Sequence, residues 1–207
     1  MITYSDTPQG TDEWLAERAG LLTASQADAM MAGKTTAKYK SLIDKLWPQR
    51  VYGYIPDNGF KSADMQRGND LESEARAALA WHINQEIVEV GLATNSAYPG
   101  AGASLDGLIK GCIGVEIKCP RIHNLMKWKK YEHQMCFQMM ICDLEAVYYW
   151  GYHDPINGKE VPPHFHIVVR DERIISSMRE RSLATNAAIA DAVINELDRS
   201  PSLRMQT

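Results

Sequence analysis

The stretch Ala103–Pro120, ASLDGLIKGCIGVEIKCP, sets Asp106 ten positions before Glu116 and places Lys118 two further on, in a run otherwise mostly apolar or glycine. Leu105–Ile109 and Val115–Cys119 have the composition of strands, and the glycines between them mark a turn. If the two pair as an antiparallel hairpin turning near Gly111, Asp106 falls opposite Glu116, because paired residue numbers sum to a constant and 111 is midway between 106 and 116. A bulge within Lys110–Gly114 would shift that register. Directly opposed residues have Cβ atoms about 4.5–5.5 Å apart, and like charges there repel. Alternation puts Lys118 on the face of Glu116, with Val115 and Ile117 on the other. Lys118 is one counter-charge for the two acids, and a divalent cation satisfies them better. Asp106, Glu116, the backbone carbonyl of Ile117 and several waters make a reasonable Mg²⁺ site, with Mn²⁺ able to substitute. Such an ion suits phosphate substrates rather than redox work. Taken alone, the same residues also fit a surface hairpin with an ordinary Glu–Lys pair.

Outward from the hairpin, further strands are expected at Ile87–Val90, Ser104–Ile109, Val147–Tyr152 and His164–Val169. Thr11-Asp12-Glu13 opens a helix that Gly20 closes, and Thr23-Ala24-Ser25-Gln26 fits a capping box for a short helix ending at Gly33. Residues 37–47 read as helix, and Val51–Phe60 as loop. Longer helices are expected over Asn69–Trp81, Leu125–Cys142 and Arg173–Leu197. Helices, then strands with one inserted helix, then a helix indicate an α/β class with a central mixed β-sheet flanked by helices. With no internal repeat or linker, one domain spanning 1–207 is expected: a helical part over about 1–82, a sheet core over about 85–170 and a closing helix over about 173–197.

Composition is that of an ordinary soluble globular protein and disfavours other classes. The 207 residues suffice for a sizeable core, with 45% hydrophobic and 23% charged residues. No apolar run approaches a membrane span, and MITYSDTPQG lacks a signal pattern, so a soluble, cytoplasmic protein is expected. Cys112, Cys119, Cys136 and Cys142 form no C-x-x-C pair, which favours free thiols over an iron–sulfur cluster. The net charge of −4 does not announce a nucleic-acid binder, but basic density is local, at Arg121–Lys130, at Lys34–Lys40, and at Lys61 and Arg67. No G-x-S-x-G elbow or phosphate-cradling G-x-x-x-x-G-K-[ST] loop occurs. His164 and His166 share a strand face without a third ligand at metal spacing, and read as structural.

Asp106-Gly107 followed by Glu116-Ile117-Lys118 resembles the D…ExK core of the restriction-endonuclease-like PD-(D/E)xK nuclease superfamily. More narrowly, WLAERAGLLTAS at Trp14–Ser25, RGNDLESEAR at Arg67–Arg76, SLDGL from Ser104, EIKCP from Glu116, YEHQ at Tyr131–Gln134 and YHDP at Tyr152–Pro155 resemble, in order, the phage lambda exonuclease or YqaJ-type viral recombinase family. The resemblance implies Asp106, Glu116 and Lys118 as catalytic residues, with Glu72 a third carboxylate acting on the metal directly or through water. It places the family's active-site glutamine at Gln134 rather than Gln138. Lys118 would stabilise charge on the phosphate and help orient or deprotonate the attacking water.

Arg18 and Ser25 match the family's binders of a terminal 5′-phosphate, and a capped helix start is a ready anion site. Read without the resemblance, Ser25 is part of a cap and Arg18 a surface residue. Met65 stands where relatives carry an apolar strand-parting wedge. Lys127, Lys129 and Lys130 are candidates to track the phosphate backbone, with Trp128 either core or base platform. The resemblance thus implies a Mg²⁺-dependent 5′→3′ exonuclease on double-stranded DNA with phosphorylated 5′ ends. It would release mononucleotides and leave a 3′ overhang for a single-strand annealing protein in phage recombination. It further implies a ring-shaped homotrimer. The rival readings are a PD-(D/E)xK endonuclease and an inactive DNA-end-binding scaffold.

Overall fold

The computed structural model describes residues 1–55, 63–120, 127–155 and 158–199, with the side chains of 64 and 65 left aside. The chain opens with β1 (Ile2–Tyr4) and α1 (Asp12–Arg18). Thr11 caps α1 by accepting the Trp14 N–H at 3.2 Å, and Asp12 and Glu13 place negative charge at its positive end. β2 (Leu22–Thr23) leads into a 3₁₀ turn, Ala24–Gln26, and then the short α2 (Ala27–Met31). Gln26 Oε1 accepts the Thr23 N–H at 2.9 Å, the reach-back bond of the expected capping box.

α3 (Ala37–Tyr52) runs past the expected end at 47 and through Pro48. Tertiary anchors beyond the proline hold it: buried Gln49 accepts the Gly20 N–H at 3.1 Å, and Arg50 donates to the Gly20 carbonyl at 2.8 Å. These outweigh the lost helix bond. α4 (Ala63–Ile83) is longer at both ends than the expected 69–81, and β3 (Ala93–Asn95) and β4 (Ala101–Ala103) follow. Next come β5 (Gly107–Ile109), β6 (Ile113–Lys118), a 3₁₀ turn at Lys127–Tyr131 and α5 (Glu132–Cys142). β7 (Ala146–Gly151), β8 (His164–Val169) and α6 (Glu172–Arg199) complete the order.

The α/β class is as expected, but the strands divide between two mixed four-stranded sheets, ordered β1-β3-β4-β2 and β5-β6-β7-β8. The single strand expected over Ser104–Ile109 is broken, because the chain passes from the first sheet to the second at Ser104–Asp106. Ile87–Val90 contributes only one bridge, Val88 with Leu108. The first sheet escaped pattern reading because its strands are two or three residues long, and β4 is Ala-Gly-Ala.

Helices cover both faces of the second sheet. Val115 and Ile117 point to α4 and pack with Ala75, Leu79, Ile109 and Trp150. The opposite face meets α5 and α6 in a larger core with Met135, Met139, Val147, Tyr149, Val168, Ile175 and Met178, which also takes in Ala93, Ala101 and Ala103. Gly114 lies on that second face, where a Cβ would sit 2.9 Å from Leu144 Cδ1 and 3.2 Å from Leu105 Cδ2, so a larger residue would have to displace the Leu144 side chain. All four cysteines are free thiols. Among the described residues, no helix is long and apolar enough to cross a membrane.

Candidate active site

The β5–β6 hairpin has the register expected from its sequence. Gly107 faces Val115, Leu108 faces Gly114 and Ile109 faces Ile113. Lys110 and Gly111, with φ of 50° and 75°, form the tight turn, a conformation that glycine tolerates at its second position. Continuing the register would set Asp106 against Glu116, but the ladder ends there. The Asp106 N–H bonds the Val115 carbonyl at 3.0 Å, and Asp106 Oδ2 takes the Ile117 N–H at 2.6 Å. Asp106 stands where the chain changes sheets, and its side chain supplies the acceptor that the departing backbone no longer offers. The Tyr152 N–H bonds the Lys118 carbonyl on the β7 side. Strand alternation therefore turns the carbonyl of Ile117 to the Asp106 side.

Glu116 is 1% exposed and points toward α5. Gln134 Nε2 donates to its Oε1 at 2.7 Å, and Gln138 Nε2 donates to its Oε2 at 2.6 Å. Lys118 also pairs with Oε1, as alternation along β6 requires. The Lys118 ammonium lies 5.2 Å from the centre of the Tyr131 ring. Gln138 is fully buried and donates a second bond, at 3.1 Å, to the Ser104 carbonyl; its own Oε1 and the Ser104 hydroxyl have no partner. The passed-over glutamine is thus as firmly attached to Glu116 as Gln134 is. The four-residue spacing of the two, which gives both one helix face, was the available signal.

Glu72, on α4, is brought beside Asp106 through Arg76. Arg76 Nη2 donates to Glu72 Oε1 at 2.6 Å and Arg76 Nε donates to the Asp106 carbonyl at 2.7 Å. Arg76 Nη1 pairs with Glu89. A second brace holds the start of α4 to the end of β6: Arg67 donates to the Cys119 carbonyl at 2.8 Å and pairs with Asp154. Arg67, counted in the sequence as local basic charge, is thus spent on a structural brace, and the sequence pattern of Arg76 and Asp154 carries no sign of their roles.

The electrostatics follow from this crowding. The pKa of Asp106 is raised by burial first, then by Glu116 and Glu72, against the opposing pull of Lys118 and the Ile117 N–H. For Lys118 burial acts downward, but Glu116 and Asp106 outweigh it and hold its pKa above the usual lysine value. Three carboxylates, Asp106, Glu116 and Glu72, face two cations, Lys118 and Arg76, and Arg76 is shared with Glu89. Among the described residues, no three His, Cys, Asp or Glu side chains converge as a ready metal centre. The donors are nonetheless all hard oxygens with surplus negative charge, the chemistry that suits a hard dication.

The second predicted group lies along a cleft of about 960 Å³ whose walls include Trp14, Arg18, Ser25, Asn69, Glu72 and Arg76. Arg18 lies 4.0 Å over the Trp14 ring, and burial lowers its pKa to about 10, leaving it charged at neutral pH. Ser25 is exposed and its hydroxyl lies 3.3 Å from that of Thr23. The helical piece behind it is shorter than expected, a single 3₁₀ turn and a five-residue helix, so the positive charge along the cleft comes from side chains, among them Arg18 and Lys45, rather than from a helix dipole. Arg76 and Glu72 link the cleft to the carboxylates.

Lys127, Lys129 and Lys130 are exposed on the 3₁₀ turn before α5, in keeping with an outward-facing basic strip. Trp128 stacks on His166 with ring centres 3.8 Å apart and planes 16° apart, and His166 stacks in turn on His164. The two histidines are therefore part of an aromatic row, as their structural reading expects. Met65 lies in α4, but the wedge expectation concerns a side chain outside the described residues, and so do Lys61 and 121–126.

A carboxylate-bearing hairpin at a sheet's end, with Glu-x-Lys on the central strand and a glutamine reaching in from the next helix, defines a PD-(D/E)xK core. The YqaJ-like viral recombinase domain matches residues 13–147, and the chain belongs to that family. It is similar in structure to an alkaline exonuclease, LHK-Exo, from Laribacter hongkongensis, with 28% identity, a TM-score of 0.80, and coverage of 93% of this chain and 100% of the other. LHK-Exo in complex with dAMP matches equally, at 28% identity and a TM-score of 0.81 over the same shares. A phage-related exonuclease from Haemophilus somnus 129PT shares the fold, at 17% identity and a TM-score of 0.69 over 86% of this chain and 96% of that one. No curated protein matches the sequence.

Proposed function

We propose that the protein is a Mg²⁺-dependent exonuclease that degrades one strand of duplex DNA from a 5′-phosphorylated end, releasing mononucleotides and leaving a 3′ overhang. The observation that carries this reading is the Asp106–Glu116–Lys118 group around buried Glu116, with both oxygens of Glu116 fixed from α5, beside a cleft containing Arg18. Family membership and the likeness to LHK-Exo support action on DNA. The complex of that relative with dAMP supports a mononucleotide product.

In this mechanism Asp106, Glu116 and the Ile117 carbonyl would hold Mg²⁺, with Glu72 acting directly or through a water, and Mn²⁺ could replace it. When bound, the ion supplies Lewis-acid polarisation of the scissile phosphate and lowers the pKa of the attacking water. Lys118 brings a full positive charge to the phosphate oxygens as negative charge builds on them. Gln134 both donates and accepts, so it holds Glu116 and can orient a water. Arg18 and Ser25 clamp the terminal phosphate and set the strand's end, and Lys127, Lys129 and Lys130 follow the backbone. The recombination role, the annealing partner and a homotrimeric ring are proposed from family membership.

The test is digestion of a linear duplex with one 5′-phosphorylated and one 5′-hydroxyl end, in Mg²⁺ and in EDTA, beside covalently closed plasmid. Mononucleotides should appear from the phosphorylated end in Mg²⁺ alone, and the plasmid should survive. Lys118→Ala should bind DNA but leave it intact. Nicking of the closed plasmid would move the assignment to an endonuclease, and the absence of any digestion would move it to an end-binding scaffold.

A further inference from the structure

Arg76 is mostly buried, and its guanidinium is committed on three sides: Glu72 Oε1 at 2.6 Å, the Asp106 carbonyl at 2.7 Å, and Glu89. These partners come from three separate parts of the chain: α4 itself, the crossover into β5, and the segment before β3. Nothing in the phosphate-binding or water-activating roles uses Arg76, and with its donors engaged it has little left to offer a ligand in the cleft. Its position does something else. A glutamate on an outward turn of α4 has three rotatable bonds, and Glu72 keeps a third of its side-chain surface exposed. The fork of Arg76 is the feature that ties this carboxylate to the peptide of Asp106.

We propose that Arg76 is a positioning residue that sets the affinity of the site for its dication, by locking Glu72 against the Asp106 peptide. This rests on the reading of Asp106, Glu116 and Glu72 as a metal site. The lock takes only Oε1 of Glu72, so Oε2 remains for an ion or for a water on that ion. Fixing a carboxylate before the ion arrives removes an ordering step from binding, and losing such a support usually weakens metal affinity about 10- to 100-fold. A planar fork is required, because a lysine ammonium could reach Glu72 four residues back but could not span to the Asp106 carbonyl as well.

The experiment is calorimetric titration of Mg²⁺ into the full chain without DNA, for the wild type and for Asp106→Asn, Glu72→Gln, Arg76→Met, Arg76→Lys and the Arg76→Met/Glu72→Gln double variant. Thermal melts run alongside check that each is folded. Wild type should bind and Asp106→Asn should not. Arg76→Met should bind about 10- to 100-fold more weakly. Arg76→Lys, which keeps the charge and tests the fork if the methionine variant does not fold, should be weakened at least about threefold. The double variant should bind about as Glu72→Gln does, because Arg76 acts chiefly through Glu72. Wild-type affinity in both Arg76 variants, or an additive loss in the double variant, would overturn the proposal while leaving the metal site intact. Tighter binding by Arg76→Met would show that the guanidinium competes for Glu72, and would overturn it too. No uptake by wild type would remove the metal reading itself and this proposal with it.

Discussion

Replacing Asp106 with asparagine should make the metal-free protein more stable, and the gain should grow with pH. Asp106 is held near Glu116 with its pKa raised above the usual 3.8 by burial and by that neighbour. A raised acid pKa means that the folded state prefers the protonated form. Wild type therefore loses stability as pH climbs from about 4 toward the elevated value, and the loss is complete only above it. The order of magnitude follows from Coulomb's law at the usual spacing of neighbouring strands. Two charges about 5 Å apart at an effective dielectric of 20 repel by about 3 kcal/mol. Lys118 and the Ile117 N–H return part of this, and asparagine Oδ1 can still accept the Ile117 N–H. A net gain of about 1–2 kcal/mol remains, or about 2–8 °C in Tm for a chain of 207 residues. The assay is thermal unfolding in EDTA at pH 5 and pH 8. At pH 5 part of the wild-type loss has already set in, because the unfolded Asp106 ionises near 3.8 while the folded one still favours its proton, so the gap there should be smaller than at pH 8 but not zero. At pH 8 the variant should melt higher. Added Mg²⁺ should raise wild type alone, by mass action, and narrow or reverse the order. A variant that melts at or below wild type at pH 8 in EDTA, or a gap that does not change with pH, would refute the electrostatic argument.

Three further outcomes are expected. Arg18→Met should remove the preference for 5′-phosphorylated over 5′-hydroxyl ends, a loss of about 10- to 100-fold from one charge-assisted contact of about 1.5–3 kcal/mol, read from paired digestion rates. Equal preference before and after the substitution would show that Arg18 does not touch the phosphate. Gln138→Met strips Glu116 Oε2 of its donor but also removes the partnerless Gln138 Oε1. The two effects oppose, so stability should fall by only about 1–2 kcal/mol, measured by denaturant titration; an unchanged midpoint would refute the role. Lys118→Arg should keep a measurable part of the cleavage rate, whereas Lys118→Met should lose at least about 100-fold; equal loss would show that the charge alone is not what Lys118 contributes.

How far the site could be read in advance varied by element for a physical reason. The hairpin was legible because its two strands are close in sequence, its turn residues are distinctive, and register follows by arithmetic. Glu116 and Lys118 share a face for the same reason. The β1–β4 sheet was not legible, since a pairing such as Thr3 with Thr94 leaves no periodic trace in two- and three-residue strands. Asp106 was placed correctly by number but for an incomplete reason. It was read as a member of the ladder, whereas the break at Ser104–Asp106 lets its carboxylate replace a backbone acceptor. Gln138 and Arg76 were missed because their partners lie 22 and 30 residues away, and both look locally like ordinary helix residues. In each, the local four-residue spacing was visible, and the tertiary target that gives it meaning was not.

In the metal-free protein that arrangement favours the electrostatic role of Lys118 over the role of a base. A lysine that acts as a base must shed its proton near working pH, which requires burial without nearby negative charge. Burial does act on Lys118, but Glu116 pairs directly with its ammonium and Asp106 adds to the pull, and the balance lies above the usual lysine value. As long as those carboxylates keep their charge beside it and no dication offsets them, Lys118 stays protonated and has no lone pair with which to take a proton from water. It is a fixed positive charge set between a buried acid and the Tyr131 ring, on the strand that also carries the carbonyl of Ile117. Placed so, it can stabilise a phosphate as negative charge grows on its oxygens, and the same contact with Glu116 that keeps it protonated keeps it aimed.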